Sequence, residues 1–318
     1  MSERVIVTGG AGFIASHLQR CLVRKGYDVT SVDIRPFSQC PVADELSSCD
    51  RFAYIQMDVN DVERFIDVSK DADIIFHMAS NTDIRKGSSN PDIDYDCTFG
   101  TTHSVLEAMR RNGIGKMFFS SSSAVYGKRE GLLREDMGDL KPLSYYGAYK
   151  LACESMISSY SYMNGFDAVI FRSPNVIGPG ITHGVIYDLI SKLKKDGSKL
   201  EILGNGRQSK QYLYIDDLVK GIVDFSSNMG VGVNTFNVSN DSSVDVDSIA
   251  KMVCQRMDLE PKFMYTGGEA GWKGDVPSFT FDITKAKSKG WKYSLDSKGA
   301  VMETLAKIDL DAIPANGL

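Results

Sequence analysis

The run Thr8-Gly9-Gly10-Ala11-Gly12-Phe13-Ile14 joins a β-branched segment, Arg4 to Thr8, to a stretch with Ile14, His17, Leu18, Cys21 and Leu22 at helical spacing. Strand, glycine turn and helix in that order leave few folds open. Gly9 permits a tight turn, Gly12 lets backbone approach a pyrophosphate, and Ala15 is small enough for close helix-strand packing. The helix N-terminus adds N–H groups and the positive end of a dipole. Taken alone, such a turn fits a purely structural role equally well. The second strand, Asp28 to Val32, changes the balance because it ends at Asp33, about 20 residues past the glycines, where a carboxylate accepts from a ribose 2′-hydroxyl. An acid there repels a 2′-phosphate, which favours NAD over NADP. Arg35 nearby keeps an NADP reading open.

Strand-like segments recur at Tyr54 to Met57, Ile74 to His77, Met117 to Ser121 and Ala168 to Arg172. Between them, Val62, Phe65 and Ile66, then Val105, Leu106 and Met109, repeat at helical spacing. The alternation predicts an α/β fold with a Rossmann-like, doubly wound parallel sheet. Ligands of such sheets bind at the carboxyl ends of the strands, where Asp58, His77 to Ser80 and Ser120 to Ser123 fall. His77 is expected to be packed rather than catalytic. In the second half, the pattern predicts helices over Ile181 to Lys195, Asp245 to Met257 and Ser294 to Lys307, and strands over Lys199 to Leu203 and Asn234 to Val238.

At 318 residues the chain suits two closely joined domains. With 36 basic against 41 acidic residues it carries a net charge of −5, so no broad basic surface for nucleic acid is expected. No apolar run nears the roughly 18 residues that span a bilayer, and the N-terminus runs straight into a strand, so a cytoplasmic protein is expected. The six cysteines include no C-x-x-C and the four histidines are scattered, which predicts neither a metal site nor a disulfide framework. Cys40 and Cys49 are expected as reduced neighbours.

Ser144-Tyr145-Tyr146-Gly147-Ala148-Tyr149-Lys150 carries the chemistry. If it opens a helix, Tyr146 and Lys150 share a face. Moving a phenol from a pKa of about 10 to near 7 takes roughly 4 kcal/mol of preferential phenolate stabilisation. An ammonium about 4 Å away at an effective dielectric of about 20 supplies interaction of that order. Tyr146 beside Lys150 can therefore serve as a general base, although the spacing alone also fits a buried ring beside a solvated lysine.

Together these stretches resemble the extended short-chain dehydrogenase/reductase family, and within it the NAD-dependent nucleotide-sugar epimerases. The matching motifs are Thr8 to Ile14, Val32-Asp33, Met57-Asp58-Val59, His77-Met78-Ala79-Ser80, Ser120 to Gly127, Tyr146 to Lys150, Arg172 to Pro179 and Ile215-Asp216-Asp217, in family order over nearly the whole chain. The resemblance implies that Ser122 completes a catalytic set with Tyr146 and Lys150. It also implies a cofactor site of Gly9, Gly12, Phe13, Ile14, Asp33, Arg35, Asp58, Val59, Met78, Ala79, Ser80, Ser120 and Pro174, shared with Tyr146 and Lys150. Arg85, Ser123, Asn175, Lys210, Asp275 and Phe279 are implied at the substrate, with Ser122 and Tyr146. The expected division is an NAD-binding domain over 1–176, revisited at 213–239, and a smaller interleaved nucleotide-sugar domain over 177–212 and 240–318.

The chain departs from the family pattern in places. Cys97 stands where an asparagine is usual, and Lys210 where an arginine grips the diphosphate. A second phosphate-binding arginine before Gly274-Asp275 is missing, with Ala270, Trp272 and Lys273 nearby. Phe279 falls where a bulky ring suggests an unsubstituted hexose. The implied activity is 4-epimerisation of a UDP-sugar through a transient 4-keto sugar, with UDP-glucose and UDP-galactose as first candidates. UDP-N-acetylhexosamine or UDP-glucuronate are alternatives. A ketoreductase or dehydrogenase with exchangeable NAD(P) is the enzymatic rival, and a non-catalytic dinucleotide-binding scaffold a rival of another class. Dehydration and decarboxylation are disfavoured because Ser123 and Ala124 stand where acidic groups would be needed. A homodimer is implied, pairing the Gly100 to Arg111 and Tyr146 to Met163 helices in a four-helix interface.

Overall fold

Short β-branched and aromatic runs form the frame. In the computed structural model, which describes residues 2–129, 131–269, 271, 276 and 278–315, these are β1 (Arg4–Thr8), β2 (Asp28–Asp33), β3 (Phe52–Gln56), β4 (Ile74–His77), β5 (Lys116–Ser122), β6 (Asp167–Ser173) and β7 (Val233–Asn237). They form one sheet in the order β7-β6-β5-β4-β1-β2-β3. The pairs β1–β2, β1–β4, β2–β3 and β4–β5 are parallel. The winding runs outward in both directions from β1, so the chain is a doubly wound, Rossmann-like α/β protein, and the switch between β1 and β4 opens the ligand-binding end.

The helices that cover the sheet are α1 (Phe13–Arg24), α2 (Val62–Ser69), α3 (Thr101–Asn112), α4 (Tyr145–Asn164) and α5 (Ile215–Ser226). Side chains alternate between the faces of each strand. Ile75, Met117, Phe119, Ala168 and Ile170 therefore pack with Phe65 of α2, Leu106 of α3 and Ile157 of α4. From the other face Phe76, Phe118, Phe171 and Phe225 stack in succession, the last three edge to face.

Two compact units result. Unit 1 comprises Met1–Gly127, Asp139–Arg172 and Val219–Phe236, and unit 2 Lys128–Gly138, Ser173–Leu218 and Asn237–Leu318. Unit 2 is built from small strand pairs: Lys199–Ile202 with Lys262–Tyr265, Asn175–Ile177 with Tyr212–Tyr214, and Leu132–Leu133 with Thr280–Phe281, all parallel. Its helices Val246–Met257 and Ser297–Lys307 are capped by Asp245 and Asp296, which accept from the N–H groups of Ser248 and Gly299. The helix expected from Ile181 starts at Val185 instead, because Gly184 lies at φ +97°, where a helix cannot run. The last helix likewise starts at Ser297 rather than Ser294, after its Asp296 cap.

Candidate active site

Helix α4 positions the chemistry. Ser144 caps it, its Oγ accepting from Gly147 N–H at 3.1 Å, and Gly165 ends it in the left-handed region. Steps of four residues line up Tyr146, Lys150 and Glu154 along one face. Each of the three meets one residue at the end of β5. Tyr146 shares a hydrogen bond with the Ser122 hydroxyl. Lys150 Nζ donates to Ser120 O at 2.7 Å, and the Ser121 hydroxyl donates to the Glu154 carboxylate. Gly147 makes this register possible, since a Cβ there would stand 2.5 Å from Ala124 O in the 3-10 turn Ser123–Tyr126. Ser122 caps that turn by accepting from Ala124 N–H at 3.2 Å.

Below lies a buried polar layer. Arg172 Nε donates to both Glu154 oxygens at 3.0 and 3.2 Å, Nη2 adds a bond of 2.6 Å, and Nη1 donates to Tyr126 Oη at 2.9 Å. A second buried carboxyl, Asp94, accepts from Asn81 Nδ2 at 2.7 Å through Oδ1, while its Oδ2 has no partner. Burial pushes the Asp94 carboxyl upward.

The electrostatics differ from the sequence expectation. Burial pushes the Tyr146 phenol up to about 12, against the pull of the Ser122 hydrogen bond, and the Asp94 carboxylate adds to the rise. Burial also draws the Lys150 ammonium down to about 8. Lys150 Nζ lies 5.8 Å from the Tyr146 ring centre and 4.8 Å from that of Phe119. Desolvation, which residue spacing does not reveal, is the largest influence on both groups. Asp94 and Glu154 are the residues that motif reading passed over, and Arg172, which opens a matching motif, has its partner in Glu154. The sequence signal for Glu154 is its four-residue step from Lys150.

The glycine turn has the features a pyrophosphate needs. Gly12 caps α1 without any side-chain hydrogen bond, and the first turn of the helix holds no acidic residue. Gly9 sits at φ +69°, and a Cβ on it would come within 2.7 Å of Ala79 N, so the turn lies directly against the end of β4. Phe13 and Ile14 open the helix. Asp33 is buried at the end of β2 and accepts from Ala11 N–H and Arg35 N–H, each at 2.9 Å. The Arg35 guanidinium lies 3.4 Å from both of its oxygens. Asp58 accepts from Asn60 N–H at 2.8 Å beside buried Val59.

His77 is fully buried between Thr8 Oγ1 at 2.7 Å and Thr102 Oγ1 at 2.9 Å. Thr102 donates its proton to Thr98 O, so His77 Nε2 is the donor in that pair and Nδ1 accepts from Thr8. Burial holds the ring neutral, with its pKa down at about 3. The N–H groups of Met78 and Ala79 donate to Thr8 Oγ1 at 3.2 Å each, and Ser80 Oγ donates to Asn81 O at 3.0 Å. Cys97 is a half-buried thiol pushed upward by burial.

In unit 2, Pro174 precedes the strand holding exposed Asn175, which pairs with Tyr212. Lys210 sits opposite Val244. Phe279 packs on Phe281 with ring centres 5.5 Å apart and lines a cavity of about 660 Å³. Asp275, Gly274, Ala270, Trp272 and Lys273 lie outside the described residues, as does the side chain of Arg85. Ser123 opens the turn after Ser122. Among the described residues no group of three or more His, Cys, Asp or Glu could hold a metal, and no helix is long and apolar enough to cross a membrane.

The sequence matches the NAD dependent epimerase/dehydratase family over residues 5–239. The chain belongs to this family. It is 28% identical over 303 residues to a putative UDP-glucose 4-epimerase of Methanocaldococcus jannaschii, covering 93% of this chain and 95% of that protein. It superposes on a crystal structure of a UDP-galactose 4-epimerase with a TM-score of 0.82 at 33% identity, covering 96% and 98% of the two chains. A structure of MoeE5 in complex with UDP-glucuronic acid and NAD matches with a TM-score of 0.84 at 28% identity, with the same coverage. NAD is the cofactor of the family, and the uncapped start of α1, the glycine contact with Ala79 and the buried Asp33 fit it.

Proposed function

We propose that the protein is a UDP-sugar 4-epimerase interconverting UDP-glucose and UDP-galactose, working as a cytoplasmic homodimer. The observation that carries the reading is the convergence of Ser122, Tyr146 and Lys150 at the carboxyl end of β5, in a sheet whose glycine turn suits a dinucleotide. The relatives named for UDP-glucose and UDP-galactose 4-epimerisation support the choice of reaction. On this reading unit 1 holds the cofactor and unit 2 the nucleotide of the substrate.

When bound, NAD supplies a hydride acceptor with a positively charged ring. The protein's own groups handle the proton. As the phenolate, Tyr146 Oη takes the proton of the sugar 4-hydroxyl as the C4–H hydride leaves, giving the 4-keto sugar, and as the phenol it returns the proton when hydride comes back to the opposite face. Ser122 Oγ holds the reacting oxygen beside Tyr146. Lys150, with one N–H committed to Ser120 O, keeps two donors for the phenolate and a ribose hydroxyl. The ring cluster of Tyr95, Phe99 and Tyr149, with Tyr162 90% and Met163 74% exposed on α4, supports self-association. Free cysteines suit a reducing compartment.

The test is incubation with UDP-glucose, UDP-galactose, UDP-N-acetylglucosamine and UDP-glucuronate without added NAD, with bound nicotinamide read from the ultraviolet spectrum. The expected product is the 4-epimer of the first two. Protein that carries NAD yet forms no 4-epimer of any of them ends the proposal, and turnover only with added NADH points to the ketoreductase.

A further inference from the structure

Gln19 on α1 and Ser31 on β2 are fully buried, and both reach the glycine turn at Gly10. Gln19 Nε2 donates to Gly10 O at 2.8 Å. Cys40 Sγ, a weak donor, is the other neighbour of that carbonyl, at 3.6 Å. The Ser31 hydroxyl occupies the space where a Cβ on residue 10 would stand, and such a Cβ would also come within 2.7 Å of Gln19 Nε2. Gly10 N–H donates to Val32 O at 3.2 Å, and Ala11 N–H to the Asp33 carboxylate at 2.9 Å. The peptide that joins residues 10 and 11 is therefore held at its carbonyl from α1 and at its N–H from the end of β2. Rotating that peptide would carry with it Gly12 and the first N–H groups of α1, which are the groups that suit a pyrophosphate.

The polarity of the pair does not strengthen the packing of α1 on the sheet. Gln19 Oε1 and Ser31 Oγ are both buried without a hydrogen-bond partner. Unsatisfied polar atoms in such a place cost stability, and apolar side chains at the two positions would avoid that cost. What the pair adds is position: one amide donor aimed at one carbonyl, and one hydroxyl that leaves residue 10 no room for a side chain.

We propose that Gln19 is a positioning residue for the dinucleotide, holding the Gly10–Ala11 peptide in the orientation that receives the pyrophosphate, with Ser31 as the stop against which the turn rests. Without the Gln19 bond the turn spends part of its time in other peptide orientations, and the apparent affinity falls with the fraction that remains competent. The inference rests on NAD as the cofactor, not on which sugar is epimerised, and is read on cofactor binding.

Gln19→Met keeps the length of the side chain and removes both the donor and the orphaned acceptor. Equilibrium dialysis of the full chain against labelled NAD and labelled ADP-ribose reads the affinity, and thermal unfolding after removal of bound nucleotide reads the fold. The expected result is a Kd weaker by about threefold to tenfold for both ligands, the size of one hydrogen bond. The melting temperature should stay within about 4 °C of the parent or rise. Gly10→Ala should weaken both ligands further, and Ser31→Gly in the same chain should recover about threefold or more, because the nearest obstacle to the new methyl is gone. An affinity of Gln19→Met within about twofold of the parent, a loss for NAD that ADP-ribose does not share, or a melting temperature lowered by more than about 4 °C together with the affinity overturns the proposal. So does a Gly10→Ala loss that is the same with and without Ser31, or a parent chain that binds neither ligand.

Discussion

Gly147→Ala tests whether the register of α4 against β5 sets the rate. The added methyl would stand 2.5 Å from Ala124 O, 3.0 Å from Ala124 C and 3.1 Å from Pro142 Cβ. Ordinary contact begins near 3.4 Å, so helix and turn must part by up to 3.4 − 2.5 = 0.9 Å. Neither neighbour is the end of a flexible side chain, and Ala124 belongs to the turn that Ser122 caps. A misplacement near 1 Å costs up to about 10²-fold in rate. Overpacking costs about 1–3 kcal/mol, and the better helix propensity of alanine returns about 1 kcal/mol. The net cost of about 0–2 kcal/mol lowers the melting temperature by no more than about 8 °C at this chain length. The expected result is therefore a folded protein whose kcat for UDP-glucose epimerisation falls about 10- to 100-fold, with NAD retained. A variant that turns over at more than half the parent rate would refute the claim that this contact sets the Ser122–Tyr146 geometry, and one that unfolds would show the contact to be structural first.

Tyr146→Phe should lose about 10²- to 10⁴-fold in kcat, the usual contribution of a positioned proton-transfer group, while UDP-sugar affinity stays within about twofold; retained turnover would point to another base. Asp94→Asn removes a negative charge that raises both Tyr146 and Lys150, so both limbs of the pH profile of kcat/KM should move toward acid, and an unmoved profile would remove Asp94 from the electrostatics of the site. Lys150 titrates near 8 in the folded protein against 10.5 for an unperturbed lysine. The unfolded chain therefore binds more protons across that window, and stability should rise with pH between about 8 and 10.5, by at most about 1.4 kcal/mol per unit. Denaturant titrations of the parent and Lys150→Met should differ in that slope, and parallel curves would contradict the lowered pKa.

Periodicity and turn chemistry are local, and where they govern structure the sequence was legible. Arg4–Thr8, the glycine turn and Asp33 lie within one strand-turn-helix-strand unit, β1 to β2, and Ser144 with Tyr146 and Lys150 within one helix start, so their relative placement follows from local backbone geometry. The environment of His77 was foreseen in kind because a histidine at the end of an apolar strand must be satisfied or neutral when buried. The illegible part depends on residues distant in sequence. Asp94, at the end of the short helix Pro91–Asp94, meets Asn81 in the loop after β4, and Arg172 on β6 reaches Glu154 on α4. Lys128 and Arg129, which line the cavity with Phe279, follow the Ser120 to Gly127 motif directly in sequence but fall in unit 2, which no residue pattern announces. Helix starts moved where a single glycine, Gly184, or an acidic cap, Asp296, overrode apolar spacing.

The two buried carboxylates beside Lys150 differ in what their loss would do. Glu154 is held by Arg172 through several hydrogen bonds, its charge still raises Lys150, and removing one partner leaves the other charge buried and unpaired, at about 3–5 kcal/mol. Its work is to hold β5 and α4 together through Ser121. Asp94 has no cation of its own among its hydrogen-bond partners. Asn81 satisfies one oxygen and the other is orphaned, so its negative charge is felt by Lys150 and Tyr146. A phenolate forming at Tyr146 adds a second anion to a site where Lys150 is the facing ammonium, and Asp94, already pushed upward by burial, resists it less when protonated. The base strength that a pH profile reads is then a property of Asp94, Tyr146 and Lys150 together. Glu154 holds α4 to β5 through Ser121, and Asp94 raises the phenol further on top of the rise that burial imposes.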